Sequence, residues 1–173
     1  DSILDVGANT GQYAKNIRAF GYTGRIVSFE PLSSAFTMLK KNAQHDQLWK
    51  VVNIALGETN DNRNINIAGN SRSSSLLPML PIHLKYSPHT KYIGKERTKM
   101  RTLDSIIDRY TRPTEKVFLK VDTQGYEKKV IDGAINSLNK IIGMQLELSL
   151  VSLYEGECLI SEMLNFMKSI RYT

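Results

Sequence analysis

The chain has 173 residues, 41% of them hydrophobic and 23% charged, and a net charge of +6. That length predicts one domain with a real core, and the longest apolar runs, such as Ile141-Ile142-Gly143-Met144, are far too short to span a bilayer. One cysteine, Cys158, excludes an internal disulfide framework and a multi-cysteine zinc site; it reads as an ordinary thiol in a reducing, cytoplasmic compartment.

Ile3-Leu4-Asp5-Val6 is a short apolar run that breaks at Gly7, as a buried strand feeding a tight turn does. From Gln12 to Phe20, Tyr13, Ala14, Ile17 and Phe20 recur at helical spacing, and Gly21 stops the helix. Residues 25–30 form a second strand, closed by Pro31. Ser33 or Ser34 is expected to cap the next helix, whose inward stripe is Ala35, Phe36, Leu39 and Ala43. A third strand is predicted from Trp49 to Leu56, closed by Gly57. This alternation predicts a parallel sheet with right-handed crossovers, flanked by helices.

Residues 58–100 break the rhythm. Asn62 to Ala68 alternates like a half-exposed strand, a serine-rich loop follows, and Tyr92 to Met100 is predicted to return antiparallel. We read this stretch as an inserted hairpin and lid over an acceptor site. Lys85, Lys91, Lys95, Arg97, Lys99 and Arg101 meet a single acid there, Glu96. Such a run is either a solvated face or an attraction for an anionic acceptor: a nucleotide sugar, a phospholipid-linked glycan or nucleic acid. The alternation then resumes. Thr102 or Asp104 leads a helix from Ser105 to Tyr110, and Val117 to Asp122 is a fourth strand. Gly125 to Asp132 is helical, Met144 to Leu150 a fifth strand, and Ser161 to Ile170 a last amphipathic helix.

Four places carry chemistry. Gly7 and Gly11 bracket Ala8-Asn9-Thr10 after the first strand, where backbone must approach a ligand or take positive φ. A dinucleotide fingerprint wants glycine where Asn9 stands, and a P-loop wants Gly-Lys-Ser/Thr, so neither is present. Asp5 before the loop suits a ligand with an ammonium group, which S-adenosylmethionine (SAM) has together with a sulfonium. Glu30 ends the second strand, where an acid accepts hydrogen bonds from ribose hydroxyls. Lys120 and Asp122 share one face of the fourth strand, with Glu127 in the first turn of the helix that follows. Glu147 is the one charge in the fifth strand. It either borders one cleft with Asp122, as base and stabiliser or around a divalent ion, or pairs structurally with Lys120. His45, His83 and His89 are scattered without metal-ligand spacing.

Taken together, these residues resemble the FkbM family of SAM-dependent methyltransferases. The likeness runs in order through residues 3–11, Val27-Ser28-Phe29-Glu30-Pro31, Asn53-Ile54-Ala55-Leu56-Gly57, Thr102-Leu103-Asp104, the Lys120 to Glu127 run and Leu146-Glu147-Leu148. Its most specific part is Lys-x-Asp-x-x-Gly-x-Glu, followed by Val130-Ile131-Asp132-Gly133-Ala134. The resemblance implies a Rossmann-like class I methyltransferase fold and O-methylation of sugar or polyketide-type hydroxyls. The family domain continues past Tyr172 into closing antiparallel strands, so a fragment of a longer chain is expected.

On this reading Asp5, Gly7, Asn9 and Gly11 contact the amino-acid and sulfonium side of SAM. Glu30 holds the ribose, Asn53 and Ala55 line the adenine, and the acceptor enters beneath the insert. Asp122 or Glu147 assists proton removal, with Lys120 beside them. The expected partner is a small-molecule or glycan acceptor. A nucleic-acid methyltransferase has only the basic insert in its favour and lacks the Asn/Asp-Pro-Pro-aromatic pattern. A non-catalytic nucleoside-binding domain is the remaining alternative.

Overall fold

The structure is a computed structural model and describes residues 1–172. β1 (Ser2–Val6), α1 (Gln12–Ala19), β2 (Arg25–Phe29), α2 (Ser33–Ala43) and β3 (Trp49–Val52) alternate as the periodicity predicts. A two-residue strand β4 (Ala55–Leu56) precedes β5 (Asp61–Ala68), α3 (Pro81–Tyr86) and β6 (Tyr92–Arg101). The alternation returns with α4 (Leu103–Tyr110), β7 (Val117–Val121), α5 (Glu127–Asp132), β8 (Ile141–Leu146) and α6 (Ile160–Ser169). Among the described residues no helix is long and apolar enough to cross a membrane.

Five strands form a parallel sheet in the order β3-β2-β1-β7-β8. The chain runs outward from β1 to β3 and later returns to the other side of β1, so the order reverses between β1 and β7. Ligands of open α/β sheets lie at the carboxyl ends of the strands beside such a reversal. Both faces of the sheet are covered, which is why its strands read as apolar runs. On one face Leu4, Val27 and Leu119 pack against Leu103, Ile106 and Ile107 of α4 and Val130 and Ile131 of α5. On the other, Ile3 and Ile26 pack against Ala14 of α1, Leu39 and Ala43 of α2, and Trp49.

Three expected elements differ in detail. The third strand stops at Val52 rather than Leu56, because the Asn53 amide donates to the carbonyls of Glu30 (2.8 Å) and Pro31 (3.0 Å) and turns the chain. Ala55–Leu56 then pairs with β6 in a second, three-stranded sheet. The fifth strand runs over Ile141–Leu146 instead of 144–150, since a 3-10 helix over Ile135–Lys140 delivers the chain directly to the buried Ile141. Neither Ser33 nor Ser34 caps α2. Leu32 holds the cap position, Glu30 accepts its N–H (2.8 Å), and Glu96 accepts the N–H and hydroxyl of Ser33.

Within residues 58–100, β5 and β6 pair antiparallel with Asn64 opposite Arg97. Their alternation is directional. Glu96 and Ile65 turn inward, toward α2 and the core around Leu32, while Lys95, Arg97 and Lys99 lie on the exposed face. The segment between the strands is clipped to the loop after β8: Leu80 N–H donates to Leu153 (2.9 Å) and Glu155 N–H to Pro78 (2.9 Å).

Candidate active site

A cavity of about 590 Å³ opens at the carboxyl ends of β1, β2 and β7, within the range of about 300–1,000 Å³ usual for small-molecule and cofactor sites. Gly7 and Asn9 from the loop after β1, Glu30 from β2, and Asp122 and Glu147 beyond β7 and β8 all line it. So do Ala55 and Lys120, and the insert adds Ser71, Arg72 and Ser74.

The loop after β1 is shaped for close approach. Gly7 has φ +76, and a β-carbon there would lie 1.8 Å from the Asp122 carbonyl oxygen. Asn9 takes φ +48, a left-handed conformation that asparagine tolerates better than most residues. Its N–H donates to Glu30 Oε2 (2.7 Å) and its amide to Ser71 Oγ (3.2 Å), so one residue ties the loop to both β2 and the insert. Glycine, which a dinucleotide loop carries here, would supply no such side chain.

Glu30 is buried, and both oxygens already accept a backbone N–H, from Asn9 and from Leu32. A carboxylate has about four acceptor positions, so capacity for two more donors remains. Burial pushes its pKa up to about 7 against those two hydrogen bonds. The unfolded chain releases this proton near the ordinary value of 4.5, whereas the folded protein keeps it until about 7. Folding stability is therefore expected to fall as pH rises through that window, by about 3 kcal/mol in all from this group. Urea unfolding of wild type and Glu30→Gln between those limits reads the slope, which the variant should lose.

Asp5 lies elsewhere than the loop chemistry suggested. It is fully buried beneath α1, absent from the cavity wall, and paired with Lys120 Nζ at 3.1 Å across the β1–β7 register. Its side chain faces Lys120 and not the cavity. Desolvation raises the Asp5 pKa and the Lys120 ammonium opposes that rise. Ser28 Oγ donates to the other oxygen (3.0 Å) and Trp49 Nε1 donates to Ser28 (3.0 Å). Lys120 also lies 3.6 Å from Asp122 Oδ2, 3.4 Å from the Gly7 carbonyl, and under the ring of Tyr13. It joins both carboxylates to the loop.

Two more expected contacts are displaced. Gly11 (φ +89) is buried away from the cavity, where a β-carbon would meet the Trp49 ring at 2.7 Å and Leu39 at 2.8 Å. It lets α1 start against the core. Asn53 is spent on the carbonyls of Glu30 and Pro31 and does not line the cavity, while its neighbours Ile54 and Ala55 do. Of the basic run from Lys85 to Arg101, no member lines the cavity either; Arg72 does.

Asp122 and Glu147 come together as a pair. Gln124 Nε2 donates to Asp122 Oδ1 (2.9 Å) and to Glu147 Oε2 (2.9 Å). Hydrogen bonding to Asp122, together with burial, pushes the Glu147 pKa up to about 8. Asp122 is held below its ordinary value by hydrogen bonds from Glu147 and Gln124 and by the Lys120 charge, against its burial. The opposed shifts favour the ionised form on Asp122 and the protonated form on Glu147. Glu127 shapes the turn beside it, accepting the N–H (2.7 Å) and hydroxyl (3.2 Å) of Thr123. Sequence reasoning passed over Gln12, Tyr13, Gln124 and Gln145, which all line the cavity. Tyr13 stood in the helical stripe of α1 and Gln124 inside the Lys120 to Glu127 run, whereas Gln12 and Gln145 carried no signal.

A search of curated proteins returned no significant match. The chain is similar to a solved crystal structure, methyltransferase FkbM from Methylobacillus flagellatus KT, with a TM-score of 0.61 and 18% identity. The likeness covers 98% of this chain and 37% of that one, and it concerns the fold. The methyltransferase FkbM domain model matches residues 5–173, nearly the entire sequence. With its parallel sheet and with the Lys120 to Glu127 motif built into one wall of the cavity, the chain belongs to the FkbM methyltransferase domain family.

Proposed function

We propose that the cavity binds SAM and that the domain methylates a hydroxyl group on a small-molecule or glycan acceptor. The observation that carries this reading is the carboxyl pair of Asp122 and Glu147, bridged by the Gln124 amide, in the wall of the cavity that Glu30 and the Gly7 loop also line. When bound, SAM supplies an electrophilic methyl on a sulfonium. Glu30 would accept from the ribose hydroxyls with its remaining lone pairs, and Leu32, Ile54 and Ala55 offer apolar wall for the base. Gly7 leaves room for close approach of the rest, since its missing side chain keeps the loop against Asp122. An acceptor hydroxyl within reach of the pair would pass its proton to ionised Asp122 at Oδ2, the oxygen that Gln124 does not bind. Lys120, beside that oxygen, favours the ionised form before transfer.

Calorimetry with S-adenosylhomocysteine tests the cofactor half. Binding is expected, and stronger as pH rises through about 7, because ribose donors select the ionised Glu30. Glu30→Ala should weaken it by about tenfold to a hundredfold, the worth of hydrogen bonds to a charged group. A folded wild-type protein that binds neither SAM nor S-adenosylhomocysteine would sink the proposal. Labelled SAM incubated with nucleotide sugars, glycans and small phenols then tests the acceptor half.

A further inference from the structure

The turn between β7 and α5 holds a residue in a conformation that its type disfavours. Gln124 has φ +57, immediately before Gly125 at φ +92. Such an outlier persists only when its surroundings fix it. The fixing comes largely from the insert and from the loop after β8. Ser75 Oγ donates to the Gln124 carbonyl at 2.7 Å. The Tyr154 hydroxyl lies 2.9 Å from Gln124 Oε1 and 3.1 Å from the Ser73 carbonyl, so its single proton is shared between them. With Oε1 engaged in this way, the carboxamide has one orientation, and Nε2 presents its two N–H bonds to Asp122 and Glu147.

We propose that Gln124 is a positioning residue for the carboxyl pair, set by the insert through Ser73 and Ser75 and by the loop after β8 through Tyr154. An amide that donates to both groups fixes their spacing and favours the ionised form of whichever lacks the proton. The other charges facing the pair are Lys120 on β7, with Asp5 behind it on β1, and Glu127 on α5. This role rests on the methyl-transfer reading only in giving the pair a proton to take up. The arrangement itself is tested without donor or acceptor.

Carbon-13 carboxyl spectra of the full chain, labelled at Asp and Glu, are titrated from about pH 4 to about pH 10, which spans the Glu147 transition. Glu147→Gln identifies the Glu147 resonance. Gln124→Met keeps the length of the side chain and removes both donors, so the Glu147 midpoint is expected to rise by about one pH unit. Tyr154→Phe leaves the amide free to turn and should move the same midpoint the same way by less. If Gln124→Met does not fold, Tyr154→Phe carries the test. Unmoved or lowered midpoints in the folded variants overturn the proposal, and lost thermal stability with unmoved midpoints would mark Gln124 as merely structural. S-adenosylhomocysteine calorimetry on the wild type is separate: absent binding overturns the nucleoside reading and leaves the titration result standing.

Discussion

Lys120→Met is expected to lower the unfolding free energy by about 3–5 kcal/mol, the usual cost of removing one partner from a buried ion pair. The cost arises at Asp5, whose side chain has no exposure and meets the lysine head at 3.1 Å. Once the ammonium is gone, the carboxyl keeps only the Ser28 hydroxyl as a donor. Asp122 also loses a cation, but its side chain is 35% exposed and water compensates there. A domain of this size has a total stability of about 5–15 kcal/mol, so the variant sits near the limit of folding. Asp5→Leu/Lys120→Met removes the buried charge as well and should recover most of the loss. The deficit of the single variant should also shrink at acid pH, where Asp5, already shifted upward by burial, takes up a proton. Urea unfolding of the two singles and the double reads all of this. A double variant no more stable than Lys120→Met, with a deficit independent of pH, would refute the account.

Gly7→Ala has the second largest expected effect, for a steric reason. The added β-carbon would fall 1.8 Å from the Asp122 carbonyl oxygen and 2.8 Å from its carbon, both of them backbone. β1 and β7 cannot part to make room, since Asp122 N–H donates to Val6 at 3.0 Å beside the clash. The left-handed backbone adds about 1–2 kcal/mol and the overpacking about 1–3 kcal/mol. Displacing the loop after β1 also narrows the cavity wall that the cofactor approaches, so S-adenosylhomocysteine affinity should fall at least about tenfold, or about 1.4 kcal/mol. Gly21→Ala is the control: φ is +91, nothing among the described residues lies within 4 Å, and only the same backbone penalty of about 1–2 kcal/mol applies. Equal losses of stability and affinity in the two variants would show that the clash is relieved at no cost.

The alternation of strands and helices was legible because a parallel sheet covered on both faces leaves apolar runs in the chain. For the same reason Asp5, Glu30 and Lys120 stood out, as charges in strands that otherwise repel them. What they touch was not legible. The Asp5–Lys120 contact depends on β1 and β7 lying side by side in a register set across more than a hundred residues. Asn53 broke a strand that reads continuously through Val51, Val52, Ile54 and Leu56, because its acceptors belong to the end of β2. Gln124 sits at a motif position without periodicity, and its partners come from the insert and from beyond β8. The outward face of the basic run was recoverable. Lys95, Arg97 and Lys99 are two apart, with Glu96 on the opposite side.

Trp49 is the single tryptophan of the chain. It is buried, its indole N–H reaches Asp5 through Ser28, and its ring edge seals the space where a side chain on Gly11 would stand. One chromophore therefore touches both the ion pair and the base of the loop after β1. Its fluorescence serves as a label-free optical gauge. Blue emission reports an intact interior, a red shift reports unfolding, and any change in quenching as ligand is added reports the loop settling around it.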